Sequence, residues 1–286
     1  MSPRHALAAL ACALVPALAL AQPLEGRLKK IKDTKTITLA HRTDAAPFSF
    51  VNDKKEPVGY SVDLCKRVVN AIGEQIGVPD LKIKWVAVTT QNRFDAIAKG
   101  EADLECGSSS VTLGRMKQVD FSSFIFVDST TLLVRRDVPG TSLGELGGKK
   151  IGVVTGTTNE KALATALKDR MVSVTVVPLK TRDEGLVKLE AKEIDAFAAD
   201  RILLMGMAGK AKDAKSLALL DDDLSLEGYA IALPRGDAAL RLAVNTGLSK
   251  IYRGGAIGEI YGAWFGAVGK PSKVLLMTYL FGALPE

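Results

Sequence analysis

Four arginines sit at turns of a chain that alternates strand-like and helix-like runs: Arg42 in HRTDAAPFSF, Arg93 in TTQNR, Arg115 in CGSSSVTLGRMKQVDFS and Arg182 in KTRDEG. Taken singly, each reads as a solvated surface cation. Their company changes that reading. Arg115 lies just beyond Gly107-Ser108-Ser109-Ser110, and a guanidinium near small hydroxyl side chains and free backbone N–H groups suits bidentate capture of a carboxylate. Thr155-Gly156-Thr157-Thr158 falls between a strand and a helix, where backbone donors and a positive helix end favour the same kind of anion. Asp200 follows the strand-like run Ile194 to Ala198 and places a carboxylate where an ammonium group could meet it; it reads equally as an N-cap ahead of Ile202 to Met207.

Other chemistry is excluded by what is missing. His41 is the only histidine beyond the first 21 residues, so no multi-histidine metal site exists and any Ser-His-Asp or Cys-His mechanism would hang on that one ring. Neither GxxxxGK[ST] nor GxGxxG after a strand occurs. The sequence calls for no cofactor and no metal. Glu105, beside the serine run, is the one carboxylate to nominate as an acid or base, and it reads better as structural. The net charge of +6 comes without a basic tail or an Arg/Lys stripe interleaved with aromatics, which gives a nucleic-acid partner no support.

Parallel strands would hold these residues. KTITLA (35–40) alternates like a strand, and the apolar positions 62, 65, 68, 69, 72 and 76 keep helical spacing. Leu81, Ile83 and Trp85 alternate in a second strand, Thr90 can cap a short helix that Gly100 ends, and a strand over 102–105 follows. After Gly140 the pattern restarts, with strands at 150–154, 172–177 and 194–197 and helices at 159–168 and 182–191. Strands alternating with helices imply α/β lobes with mainly parallel sheets. The phrases AKGEADL (98–104) and EAKEIDA (190–196) share a helix end, an acidic turn and a strand start. Runs 129–134 and 229–233 read as crossover strands, which predicts a two-lobed chain with a two-strand hinge: 22–130 plus 234–286 as a discontinuous lobe 1, completed by C-terminal helices, and 131–233 as lobe 2.

The opening MSPRHALAALACALVPALALAQ carries Arg4 and His5 ahead of an apolar run that ends in Ala19-Leu20-Ala21. It reads as a cleaved secretory leader over 1–21. The apolar run, about 15 residues, is shorter than the ~20 that span a bilayer. Cys12 admits a lipid-anchored start, which the short stretch before it disfavours. The expected location is the periplasm. There, Cys65 and Cys106 either pair as a disulfide or serve as two small buried apolar side chains.

The runs HR…APFSF…GYSVDLC, TTQNRFDAIAKGEADLECGSSS…R…VDFS, GTT and DAFAAD, in this order, resemble the periplasmic amino-acid-binding proteins of polar amino-acid ABC transporters (solute-binding protein family 3). The likeness runs from about Thr36 to Phe265 and is nearest to the glutamate/aspartate-binding branch. It implies a non-enzymatic, monomeric capture protein that hands its ligand to an inner-membrane permease. By the same resemblance Arg115 grips an α-carboxylate with Ser110 and Thr157. Ser108 and Asp200 receive the α-ammonium, Phe48 and Phe50 form an aromatic wall, and Arg42, Thr90 and Arg93 hold a side-chain carboxylate. Thr155 and Thr158 flank the same turn. The branch carries a histidine where this chain has Arg182, which leaves aspartate, glutamate or another dicarboxylate open, with Arg182 in the pocket or in solvent. The branch's cysteine in the return strand is absent, since Ala230 stands there, leaving Cys65 and Cys106 as the available pair. Two other readings share the scaffold: a cyclohexadienyl dehydratase-like enzyme and the sensing domain of a receptor.

Overall fold

A computed structural model describes residues 24–285; the expected leader and Cys12 lie outside the described residues. The chain enters through α1 (Gly26–Thr34) and β1 (Thr36–His41), then a small antiparallel sheet of β2 (Asp44–Ala45), β3 (Ser49–Val51) and β4 (Pro57–Val58). Next come α2 (Tyr60–Ile76), β5 (Lys82–Ala87), α3 (Arg93–Ala98) and β6 (Leu104–Glu105). A strand of 17 residues, β7 (Val119–Arg135), carries the chain into a second set: β8 (Lys150–Val154), α4 (Thr158–Asp169), β9 (Thr175–Leu179), α5 (Arg182–Glu190), β10 (Ala196–Asp200), α6 (Arg201–Ala208) and β11 (Leu217–Leu219). β12 (Ser225–Pro234) returns it to α7 (Ala238–Arg253), α8 (Ala256–Phe265) and α9 (Lys273–Gly282).

The main sheet runs β5-β1-β6-β12-β7-β10-β8-β9, with β11 on β7. Parallel triplets lie at its two ends, β5-β1-β6 and β10-β8-β9, and the long strands β7 and β12 pair antiparallel between them. The cores divide the same way. One gathers Ile37, Leu39, Val68, Ile72, Val244 and Phe265 from the first and last segments, and a second gathers Ala40, Val88, Ile97 and Phe121 beside it; two others gather Ile151, Val153, Leu163, Phe197 and Leu204 from the middle. Two lobes therefore share a pair of crossing strands.

The repeated phrase marks equivalent positions in both lobes. Gly100 and Lys192 each end a helix with positive φ, +77° and +61°. Asp103 N–H then donates to Thr38 O and Asp195 N–H to Lys150 O, both at 2.8 Å. Each carboxylate accepts the reciprocal backbone N–H, again at 2.8 Å, and each meets an arginine, Arg27 or Arg135. The short phrase is the sequence trace of one helix-to-strand joint used twice.

Two local expectations shift. The strand placed at 172–177 lies at Thr175–Leu179 and passes through Pro178, tolerated because β9 is the edge of the sheet. Thr90 caps nothing. Its helix starts at Arg93 with Asn92 in the cap position, where Asn92 Oδ1 accepts Thr89 N–H at 2.7 Å. The Thr90 hydroxyl instead accepts from Arg42 Nη2 at 2.7 Å. Among the described residues no helix is long and apolar enough to cross a membrane.

Candidate functional site

Six parallel strands each deliver a polar group beyond their carboxyl ends: β1 gives Arg42, β5 gives Thr90 and Arg93, β6 gives Ser108 and Ser110, β8 gives Thr157 and Thr158, β9 gives Arg182, and β10 ends on Asp200. The crevice outside the carboxyl ends is where open α/β sheets take ligands. Here two such crevices face each other across β7 and β12.

On lobe 1, Arg42 is buried and its Nη2 donates to Asp44 Oδ1 at 2.5 Å and to Thr90 Oγ1 at 2.7 Å. Arg93 is buried too, with Nη1 donating to Thr90 O at 3.1 Å. Arg115, half-buried, donates from Nη1 to Ser110 O at 2.7 Å. The Arg93 and Arg115 guanidiniums both lie over the Phe94 ring, 4.7 and 5.2 Å from its centroid. The Nε atoms of Arg42 and Arg93 are buried without a hydrogen-bond partner among the described residues.

Three guanidiniums this close oppose one another. Burial first, then the charges of Arg42 and Arg115, pulls the Arg93 pKa well below its ordinary value. Burial, then Arg182, lowers that of Arg42, against the pull of Asp44 and Glu105. Arginine does not deprotonate in proteins; the shifts mark a burial and a mutual repulsion that an added anion would relieve. Glu105 is the buried counter-charge behind it; neither of its oxygens accepts a hydrogen bond from the described residues. Gly107 lets the chain pass close to this pair: a Cβ there would stand 2.2 Å from Glu105 Oε1 and 3.2 Å from Arg42 Cγ, so Glu105 would have to move.

The serine loop follows Gly107. Ser109 O accepts Ala230 N–H at 3.1 Å and Val111 N–H donates to Gly228 O at 2.9 Å, which lays the loop along β12. Ser108 Oγ and Ser109 Oγ are buried without hydrogen-bond partners among the described residues. Cys106, at the head of the loop, is disulfide-bonded to Cys65 of α2, so of the two readings for the cysteines the pair is the one formed. Phe48 is buried against Tyr60, Phe126, Tyr229 and Phe265 and forms the aromatic floor.

On lobe 2, Thr157 is the N-cap of α4: its Oγ1 accepts Glu160 N–H at 3.1 Å and donates to Val154 O at 2.7 Å. Glu160 takes the Gly156 N–H at 2.9 Å, so the cationic end of α4 is offered to the cleft by the turn's later donors. Asp200 is buried. It occupies the N-cap position of α6 by backbone but makes no side-chain cap; Asn159 Nδ2 donates to its Oδ1 at 2.9 Å. Beneath it lie Asp128, Glu227 and Tyr229. Tyr229 OH donates to Asp128 Oδ2 at 3.3 Å. Burial, then the Asp200 charge, pushes the Asp128 carboxyl up to about 8. Burial also raises Asp200, while Arg182 opposes the rise.

The lobes touch here. Ser110 Oγ lies 3.3 Å from Thr158 Oγ1, Gln91 Nε2 donates to Lys180 O at 3.2 Å, and Arg182 stands 3.8 Å from Asp44 of the other lobe and 3.9 Å from Asp200 of its own. Arg182 is therefore buried in the cleft. Leu203 of α6 packs into the lobe 1 core. This is a closed arrangement.

Residues 37–267 match the model of the bacterial extracellular solute-binding proteins, family 3. The chain belongs to that family. Among its relatives, the L-glutamate/L-aspartate-binding protein of Pseudomonas aeruginosa is 36% identical over 258 residues, covering 90% of this chain and 85% of the relative. The glutamate/aspartate import solute-binding protein of Escherichia coli is 30% identical over 266 residues, 92% and 88% of the two chains. Among solved structures, an ancestral arginine-binding protein bound to arginine superposes with a TM-score of 0.73 at 25% identity, over 81% of this chain and 99% of that one. An ancestral amino-acid-binding protein, a precursor of cyclohexadienyl dehydratase, gives 0.72 at 24% over 84% and 100% and shares the fold.

The structure gathers Arg42, Thr90, Arg93, Ser108, Ser110, Arg115, Thr157, Thr158, Arg182 and Asp200 beyond the strand ends where the lobes meet, and it buries Phe48 in the lobe 1 core. Thr155 is exposed, its N–H donating to Leu179 O at 3.1 Å. Phe50 stands apart from the aromatic floor: it packs edge-on to Trp264, and Lys210 lies 5.4 Å from its ring centroid. Asp44, Asn159, Asp128 and Glu227 belong to the surroundings and were not expected. Asp44 follows Arg42 by two residues on a turn, a short-range ion-pair spacing visible in the sequence; the other three carry no such signal.

Proposed function

We propose that this family 3 binding protein captures L-glutamate or L-aspartate between its lobes in the periplasm and delivers it to the permease of an ABC transporter. The carrying observation is the convergence of Arg42, Arg93 and Arg115 on one wall, more cationic donors than a single α-carboxylate uses. Arg115 and the serine loop would take the α-carboxylate, with the end of α4 completing its shell. Asp200 would take the α-ammonium. Arg93, with Arg42 and Thr90, would take the second carboxylate. Glutamate/aspartate binding in the named relatives supports this division.

Closure follows from the partition of the contacts. Arginines on lobe 1 and the α4 terminus and Asp200 on lobe 2 meet one molecule together only in the closed state, so the ligand shifts the equilibrium toward it. The closed shape is then what the permease recognises. The reading is of binding without turnover. Glu105, the nominated acid, sits behind Gly107 and against Arg42, placed to neutralise guanidiniums rather than to move a proton.

The test is a thermal-shift screen against the common amino acids and small dicarboxylates, followed by calorimetry. A ligand at ~100 times its Kd adds about 2.7 kcal/mol of stability. Strong stabilisation by glutamate or aspartate, abolished by Arg93→Ala, is expected. Stabilisation by neutral or basic amino acids alone would remove the second-carboxylate assignment.

A further inference from the structure

Helix α9 presents an apolar face outward. Val274, Met277, Leu280 and Phe281 are 54%, 52%, 64% and 77% exposed, and Leu284 just beyond is 54% exposed. The helix is fixed from beneath: Leu275 and Tyr279 are buried, Tyr279 OH lies 2.8 Å from Tyr60 OH, and Ser249 Oγ donates to Leu284 O at 2.7 Å. The face is held rigid and cannot turn its side chains inward.

The apolar surface continues onto the neighbouring elements. A depression of about 490 Å³ between α9 and β7 joins Met277 and Phe281 to Phe124. A second, of about 250 Å³, joins Leu284 to Leu242, with Lys250 and Arg253 of α7 in its wall. Contiguous exposed apolar surface on a secreted protein marks an interaction site.

Charge identifies the occupant. Residues 238–286 contain five cations, Arg241, Lys250, Arg253, Lys270 and Lys273, against two acids, Glu259 and Glu286. Among the described residues, Glu259 is engaged 3.3 Å from Arg67, and Glu74 of α2 lies 3.9 Å from Lys250 in an exposed pair. A second copy seated on this face would set two cationic rims against each other. An anionic bilayer matches both features at once, accepting the apolar side chains at the acyl boundary and the lysines and arginines at its headgroups.

We propose that α9 and its basic rim dock the protein on the anionic lipid surface of the membrane that houses its transporter. Docking would keep the protein beside the permease between deliveries. It is independent of which ligand the cleft takes.

The experiment is vesicle co-sedimentation of the protein isolated from the periplasm of an expressing host. Vesicles of phosphatidylcholine with one quarter phosphatidylglycerol are compared with pure phosphatidylcholine, at low and high salt. Binding to the anionic vesicles is expected to be at least about tenfold stronger and to fall with salt. The variants Leu280→Ser with Phe281→Ser, and Lys250→Glu with Arg253→Glu, should each lose most of it while calorimetry shows unchanged amino-acid binding, which certifies the fold. Equal binding to both vesicles, or none, overturns the proposal. So does a doubled mass by light scattering that the serine pair abolishes, which would assign the face to a second copy; the charge-reversed pair tests the idea even if the serine pair fails to fold.

Discussion

Asp44 of lobe 1 faces Arg182 of lobe 2 across the cleft, its Oδ2 3.8 Å from Nη1, while its Oδ1 accepts from Arg42 at 2.5 Å. One carboxylate thus serves two arginines, one from each lobe. Both arginines are buried, so the pair is poorly screened, and it exists only when the lobes are together. Removing it should lower the closed-state population and weaken the apparent affinity by the same factor. Asp44→Asn is expected to weaken glutamate or aspartate binding about tenfold. Combined with Arg182→Gln in a double-mutant cycle, the two losses should be strongly non-additive. Tighter binding by Asp44→Asn would instead mean that Asp44 competes with the ligand for the arginines.

Arg93 makes the opposite kind of prediction. It is buried, its Nε is unpartnered, and its neighbours include two further arginines. Such a charge is costly in the ligand-free protein, and replacing a buried ion with an apolar side chain of similar volume is often stabilising. Arg93→Met should therefore abolish binding of acidic amino acids while raising ligand-free stability by about 1 kcal/mol, read from denaturant unfolding. Loss of both binding and stability would show a structural arginine.

The split between what the sequence made legible and what it hid follows sequence range. Arg42, Arg93, Arg115 and Arg182 were readable because each sits a few residues past a strand whose alternation is local. The lobes were readable from the restart after Gly140 and from the repeated phrase. Asp128, Glu227 and Asn159 were not. They sit within amphipathic or mixed runs, and become a cluster only when β7 pairs with β12 and α4 packs against β10. Thr90 reads as a cap in the sequence because its partner, Arg42, is 48 residues away, whereas Asn92, which organises that turn, lies within local reach.

Asp128 sets a pH signature. Its carboxyl, ordinarily near 3.8, is raised to about 8 by burial and then by the Asp200 charge, with Tyr229 and two backbone N–H groups partly opposing. The folded protein keeps a proton that the unfolded chain has lost over this interval. Stability from this group is therefore complete below pH ~4 and declines as pH rises through ~8. Asp128→Asn should flatten the decline and raise the Tm at pH 8.5 by a few degrees, to about the extent expected for a gain of 1 kcal/mol or more. An unchanged slope in the variant would place the titration elsewhere.

The Cys65–Cys106 disulfide closes a segment of 41 residues and ties α2 to the head of the serine loop. Chain-entropy arithmetic for a loop of that length gives about 4 kcal/mol. The Cys65→Ser/Cys106→Ser double variant should lose stability by up to that amount. It should also bind more weakly, because Ser108 and Ser110 follow Cys106 by two and four residues. Equal binding with reduced stability would confine the disulfide to holding the fold.

Gly206 tests the closed arrangement itself. It lies on α6 of lobe 2, and a Cβ added there would stand 2.7 Å from Ala46 O, on the turn of lobe 1 that follows Asp44. Backbone on both sides leaves no flexible side chain to give way. Away from closure the position is an ordinary helical site, where alanine is favoured over glycine by roughly 0.5–1 kcal/mol. Gly206→Ala should thus leave the ligand-free protein equally or more stable while weakening ligand binding about tenfold or more through loss of the closed state. Small-angle scattering with saturating ligand should show the wild-type chain contracting and the variant contracting less. Wild-type affinity in Gly206→Ala would mean that the ligand-bound lobes meet at a different angle from the one seen here.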